Sequence, residues 1–127
     1  MQIYKYSLLT SCIYLAISTT NQSIAACNNY TPDSEQIVLC DDTSPNPSST
    51  PIMSKDNAIN VTVEIAEGSE ITTDQTAALT LGDASKITNA GKLVGITGVA
   101  LQQGTSILNN SGSIIGNTGP GVIFNGS

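Results

Sequence analysis

Few residues in this 127-residue chain could do chemistry, and their types exclude most catalytic devices. The chain has ten Asp and Glu, four Lys, no Arg and no His, giving a net charge of −6. Without His, no serine nucleophile can be activated as in a catalytic triad. Without a basic patch, nucleic-acid binding is not expected. We predict no enzymatic activity, metal, cofactor or small-molecule substrate.

One cluster of acids deserves a chemical test before it is set aside. Four acids stand close together in the sequence, and a pair of carboxylates is what glycoside hydrolysis requires. Acidic side chains are far more often solvated surface than active-site pairs, so we expect these to be exposed. The four residues are Glu64, Glu67, Glu70 and Asp74.

The cysteines indicate the compartment. Cys12 lies in an N-terminal segment expected to be removed, which leaves Cys27 and Cys40 as an even pair. Such a pair in an exported chain predicts a disulfide, closing residues 27–40 as a small N-terminal cap. The segment 24–27 also fits a lipobox, in which Cys27 would be acylated and Cys40 left unpaired. A small exported lipoprotein is therefore an alternative.

Residues 1–26 have the pattern of a secretory signal peptide. Lys5 supplies the positive start, residues 6–17 are mostly apolar, and Ala25 and Ala26 supply small residues for cleavage. The apolar run is too short and too polar for a spanning helix, which needs about 20 apolar residues. The sequence therefore predicts export.

A degenerate repeat fills the second half of the chain, where residues 86–95 recur at 106–116. Single apolar positions separated by Gly, Asn, Ser and Thr at this period are typical of a solenoid. The equivalent pairs are Ile87 and Ile107, Asn89 and Asn109 (each 20 apart), and Gly91 and Gly112, Leu93 and Ile114 (each 21 apart). This alignment implies a one-residue insertion. Asn89 and Asn109 would then lie in register, either stacked as an amide ladder or serving the turn.

The predicted fold is all-β, a parallel, right-handed β-helix with about three coils of roughly 20 residues. Each coil has three short strands joined by Gly- and Asn-rich corners. Residues 41–56 read as a Pro/Ser-rich linker, and residues 57–127 as β-helix repeats that are incomplete at the C-terminus. The predicted inward-facing residues are Val61, Val63, Ile65, Ile71, Leu79, Leu81, Ile87, Leu93, Val99, Leu101, Ile107, Ile114, Val122 and Phe124.

The signal, the Cys27 and Cys40 pair, and the repeats at 87–91 and 107–116 together resemble the N-terminus of an autotransporter passenger domain of Gram-negative bacteria. The resemblance implies a pectin-lyase-like β-helix that serves as a stalk for adhesion or display at the outer membrane, or is secreted. It also implies a C-terminal translocator β-barrel, which is missing from this sequence, and a host-surface or matrix ligand. Without the barrel, the chain would stay in the periplasm.

Enzymes that degrade polysaccharides share this type of fold, so a truncated enzyme is a further alternative. Lyases of that group resemble the chain in fold only, because their chemistry uses calcium-binding carboxylates and a basic residue, usually Arg, which is absent. Binding surface would instead come from outward loops such as 72–76 and 119–121.

Overall fold

A computed structural model describes residues 26–43, 45–102 and 104–125. The predicted signal peptide and its cleavage position at Ala25 lie outside these residues, and Ala26 begins them. The described part of the chain contains eleven short strands. They are β1 (Ile37–Cys40), β2 (Ile52–Met53), β3 (Thr62–Ile65), β4 (Glu70–Thr72), β5 (Leu79–Leu81), β6 (Lys86–Asn89), β7 (Lys92–Gly95), β8 (Val99–Gln102), β9 (Ile107–Asn110), β10 (Ser113–Gly116) and β11 (Val122–Asn125).

The strands form three parallel sheets that the chain visits in turn. Sheet A has the order β1-β3-β6-β9, sheet B the order β10-β7-β4, and sheet C the order β11-β8-β5-β2. Every pairing between these strands is parallel. The protein is therefore an all-β parallel β-solenoid of about four turns, one more than the repeat alone indicated.

The core consists of aliphatic side chains stacked in columns, one residue from each coil. In sheet B, for example, Ile71 lies in register with Leu93, and Leu93 with Ile114. Stacking is required because a single coil of this width cannot bury its own inner face. The predicted inward residues that are buried are Val61, Val63, Ile65, Ile71, Leu79, Leu81, Ile87, Leu93, Val99 and Leu101.

The fourth coil differs from this pattern. Ile107 was expected to point inward but is 56% exposed, because it pairs with the outward Lys86. Phe124 pairs with the buried Leu101 yet is 58% exposed, since the structure describes no coil stacked on its other side. Ile114 and Val122 are partly buried against the core for the same reason.

The register between the third and fourth coils corrects the predicted alignment by one residue. Ile87 pairs with Leu108 rather than with Ile107, and Asn89 pairs with Asn110 rather than with Asn109. Between these coils the spacing is 21 residues in sheets A and B and 23 in sheet C, so the predicted one-residue insertion between Asn109 and Gly112 does not exist. Asn89 is fully buried, and its Nδ2 donates to Oδ1 of Asn110 at 2.8 Å. The amide ladder is therefore present, with Asn110 as its second member.

The ladder also fixes the corner that follows it. Oδ1 of Asn89 accepts from the backbone N–H of Gly91 at 3.1 Å. A Cβ at Gly91 would lie 2.2 Å from the carbonyl oxygen of Ser69, and a Cβ at Gly112 would lie 2.0 Å from that of Gly91. Glycine is therefore required at this corner because consecutive coils approach each other through their backbones.

The N-terminal segment closes the first coil. Cys27 and Cys40 form the predicted disulfide, which spans 13 residues and joins the segment to β1. On the opposite side, the N–H of Met53 donates to the Tyr30 carbonyl, and the Tyr30 hydroxyl shares a hydrogen bond with Ser48 Oγ at 3.0 Å. Residues 26–32 thus cross the end of the solenoid from sheet A to sheet C and cover its first rung.

Part of the predicted linker belongs to the solenoid instead. Ser48 bridges Ile71 in parallel, and Ile52 in β2 is fully buried against Leu79. Proline is excluded from ladder positions because it lacks an N–H donor. Pro47 precedes the bridging Ser48, whose N–H donates to the Glu70 carbonyl at 2.8 Å, while Asn46 donates through its side-chain Nδ2 to the Gly68 carbonyl at 2.8 Å. The first coil is completed by residues that the composition alone describes as loop.

Candidate functional site

The four clustered acids considered for glycoside hydrolysis do not form a pair of facing carboxylates. Glu64 lies on the outer face of sheet A, Glu67 at the following corner, and Glu70 on sheet B. Asp74 is exposed at the next corner, between sheets B and C. The solenoid places these residues on different faces, so carboxylates that are close in the sequence do not face each other in the structure.

Glu70 is engaged within the structure. Its Oε1 lies 3.2 Å from Lys92 Nζ and accepts from Thr72 Oγ1 at 2.9 Å. The Thr72 hydrogen bond, followed by Lys92, holds the pKa of Glu70 below its ordinary value. The pair joins the second and third coils on the outside of sheet B, where Glu70 and Lys92 are in register.

Two loops expected to offer binding surface are tight corners. Thr73 is buried, and its Oγ1 donates to the carbonyl of Thr76 at 2.8 Å, closing the corner between β4 and β5. Gly119 donates its N–H to Ile96 at 2.7 Å, and the Gly121 carbonyl accepts from Val99. These backbones are used in stacking, so the corners present only a few outward side chains.

A concavity lies at a different corner of the described solenoid, between sheets C and A. A groove of about 680 Å³ is lined by residues at the outer edges of the first three coils. We call it the overhang groove, because the long corner between β2 and β3 projects over it. Its lining residues are Met53, Ser54, Lys55, Asp56, Asn57, Ala58, Ile59, Thr80, Gly82, Asp83 and Gln102.

The overhang exists because the corner between β2 and β3 is longer than the equivalent corner one coil further on. Eight residues, 54–61, connect β2 to β3, whereas four residues, 82–85, connect β5 to β6 one coil further on. Asn57 and Asn60 have φ angles of 63° and 58°, the left-handed conformation that Asn tolerates better than most residues. They let the extra residues fold back against the solenoid.

The overhang is held from both sides. Towards the cap, the N–H of Lys55 donates to Pro32 at 3.0 Å, and the N–H of Ile59 donates to Ser34 Oγ at 3.0 Å. Towards the second coil, the N–H of Asn60 donates to the Asp83 carbonyl at 3.0 Å. Ala58 is buried against Gly82, where a Cβ would lie 2.1 Å from the Ala58 carbonyl oxygen. The groove is therefore preformed by backbone contacts.

The charges in the groove are unequal. Lys55 Nζ lies 3.3 Å from Asp33 Oδ2, so this cation is already paired with the cap. Asp83 Oδ1 accepts from Thr105 Oγ1 at 2.9 Å and from the N–H of Thr105 at 3.1 Å. These hydrogen bonds, with a further one from the N–H of Ala84, hold the pKa of Asp83 below its ordinary value. Asp83 therefore stays ionised, and the groove carries a net negative charge together with the exposed Asp56.

The groove was missed in the sequence because its wall was assigned to the linker and to the start of the repeats. A signal was available: Ile52 and Leu79 are 27 residues apart, against 20 for Leu79 and Val99 in the same sheet. Extra residues between stacked positions must protrude at a corner. Within the described residues, no three His, Cys, Asp or Glu side chains come together as a metal site would need.

The structure contains the disulfide that was one of the two interpretations of Cys27. Acylation would attach a lipid to the sulfur atom that is bonded to Cys40 in the structure. Both cysteines are buried, so the structure confirms the predicted disulfide, and the small exported lipoprotein stays an alternative that would require this bond to be absent. The part of the chain that the structure describes contains no helix that is long and apolar enough to cross a membrane.

Comparison with known proteins adds no relative to this description. No protein-family profile, curated protein or solved structure matches the chain.

Proposed function

We propose that the chain is the N-terminal passenger segment of an autotransporter-type surface or secreted protein, in which the solenoid is a stalk for adhesion or display. The observation that carries this proposal is the closed first coil. A disulfide and a crossing segment seal the solenoid directly after residues that read as a secretory signal. A structural disulfide fits an oxidising compartment, as export would provide.

The architecture suits a stalk for a physical reason. Each coil contacts only its neighbours, so the outer surface repeats along one axis while the columns inside stay constant. Outward side chains can then vary without disturbing the core. The remaining outward residues, and the overhang groove in particular, supply the surface on which a host or matrix ligand would bind.

The proposal also requires a translocator. Export by the signal peptide brings the chain to the periplasm, and passage to the surface would need a β-barrel partner. Crosslinking in the source cells should capture this β-barrel partner.

Surface labelling tests the proposed location. An epitope inserted at Gln75, an exposed corner residue, should be recognised by antibody on intact source cells. An epitope on a periplasmic protein of the same cells serves as the control and should be recognised only after permeabilisation. A chain that is labelled only in permeabilised cells contradicts the passenger function. Mass spectrometry of the N-terminus should show a chain starting at Ala26 or Cys27.

A further inference from the structure

We propose that the overhang groove binds an extended polypeptide segment that carries basic side chains. The inference rests on the proposed function only in placing that partner outside the cell. The groove has a volume of about 680 Å³, is partly open to solvent, and is lined by residues from three successive coils. Small-molecule sites enclose most of their ligand, so a groove that is open to solvent suits a segment of chain better than a compact small molecule.

The groove is rigid enough to bind without rearrangement. Its wall is fixed by hydrogen bonds from Lys55 and Ile59 to the cap, and from Asn60 to the second coil. Binding to a preformed groove avoids the entropic cost of ordering a loop. The partner alone would lose conformational freedom.

The surface of the groove combines apolar and polar contacts. Met53 is 43% exposed and Ile59 is 51% exposed, so both present apolar area to a ligand. Met is adaptable at binding surfaces because its side chain is unbranched and polarisable. Ser54, Asn57, Thr80 and Gln102 add hydrogen-bonding groups that suit a peptide backbone.

Charge selects the class of peptide. Asp56 and Asp83 are anionic groove residues, whereas the only lysine of the lining is paired with Asp33. All ten acids of the chain precede residue 84, so the cap and the first two coils carry a net negative charge. Complementary charge raises the association rate and disfavours acidic partners.

Fluorescence anisotropy with three labelled twelve-residue peptides tests the proposal on the purified, oxidised chain. One peptide alternates Lys with Val and Ser; in the other two, Gln or Glu replaces Lys. We expect saturable binding of the basic peptide, at least tenfold weaker binding of the neutral one, and none of the acidic one. Raising the salt concentration from 50 to 500 mM should weaken binding.

A matched pair of variants separates the groove from general attraction to an acidic protein. Asp56→Lys reverses a charge within the groove, and Asp74→Lys makes the same change at the exposed corner between sheets B and C. We expect Asp56→Lys to lower the affinity for the basic peptide at least tenfold, and Asp74→Lys to lower it less than twofold. Ile59→Ser, which keeps the charge, should weaken it about threefold.

Three results would overturn the proposal: no saturable binding of the basic peptide, equal binding of the acidic peptide, or equal losses in Asp56→Lys and Asp74→Lys. Saturable binding of a neutral oligosaccharide that competes with the peptide would also overturn it. Unchanged circular dichroism spectra and melting temperatures confirm that the variants fold. Failure of surface labelling would contradict the passenger function alone, because the peptide assay uses purified protein.

Discussion

The two ends of the solenoid are built from the same kind of coil but have different surroundings. The first coil is covered by residues 26–32 and fastened by a disulfide, so Val38 and Ile52 are fully buried. In the fourth coil the equivalent positions Leu108 and Val122 are only partly buried. A residue's contribution to stability therefore depends on what stacks on both of its sides, more than on its type or its place in the repeat.

The largest expected effect comes from comparing a buried and a partly buried position in the same column of sheet B. Leu93→Ala removes a fully buried side chain between Ile71 and Ile114 and should cost about 2–5 kcal/mol of unfolding free energy. Ile114→Ala removes a similar volume from the partly buried coil and should cost less than half as much. Urea denaturation measures both. Equal losses would show that the fourth coil is as well covered as the third.

Removing the disulfide should turn the closed end into an open one. The double change Cys27→Ser and Cys40→Ser should lower the unfolding free energy by about 3 kcal/mol, the value expected for a loop of this size. Hydrogen exchange should show that backbone amides in β1 and β2 lose most of their protection, whereas those of the third coil lose less. A reductant should destabilise the parent chain and leave the double variant unchanged. Uniform loss of protection along the solenoid would contradict a local role.

The amide ladder sharpens the comparison between the third and fourth coils. Asn89→Ala removes a buried hydrogen-bonded amide and leaves the N–H of Gly91 without its partner, which should cost about 1–3 kcal/mol. Asn109→Ala, on the exposed outer face, is the matched control and should change stability by less than about 0.5 kcal/mol. Thermal melts distinguish them. A larger loss in Asn109→Ala would support the 20-residue register instead.

Acid should act first on the N-terminal coils, which hold all the acidic side chains. The pKa values of Asp33, Asp41, Glu70 and Asp83 are lowered in the folded chain. A lowered folded pKa gives stability that is present above the unfolded value, near 4, and is lost as pH falls through the folded pKa. The melting temperature should therefore decrease below about pH 4, and exchange at pH 3 should rise first in the cap and second coil. The described part of the fourth coil has no Asp, Glu or Lys.

The smallest expected effect concerns the ion pair between coils. Lys92→Met should cost about 0–1 kcal/mol at pH 7, because Lys92 and Glu70 are partly exposed. Because Lys92 helps to lower the pKa of Glu70, Lys92→Met should also make the melting temperature slightly less dependent on pH between 3 and 6. A loss above about 2 kcal/mol would mean that the pair acts as a buried one.

The repeat predicted the fold because inward positions have to be apolar in every coil. Leu79 and Leu81, and Val99 and Leu101 twenty residues later, are an unambiguous pair and were placed correctly. The register of the fourth coil was misassigned because two apolar residues, Ile107 and Leu108, are adjacent, as are Asn109 and Asn110. Side-chain type does not distinguish a period of 20 from 21 there, and only backbone pairing does.

The first coil and the groove could be predicted less well for a related reason. Three prolines and a long corner hide the positions of Ser48 and Ile52 in the sequence, although both are buried in the structure. The groove depends on one corner lying over another in space. Local composition carries no information about that overlap, whereas the 27-residue interval between Ile52 and Leu79 does.

The unequal corners have a consequence for how such a chain can change. Between sheets C and A, the first corner has eight residues and the second has four, yet the strands on either side of the two corners remain paired in register, β2 with β5 and β3 with β6. Insertions and deletions at this corner are therefore compatible with the stack, provided that the residue beneath stays as small as Gly82. New recognition loops could be transplanted here one coil at a time. Diversification of the outer surface would then proceed without any redesign of the interior.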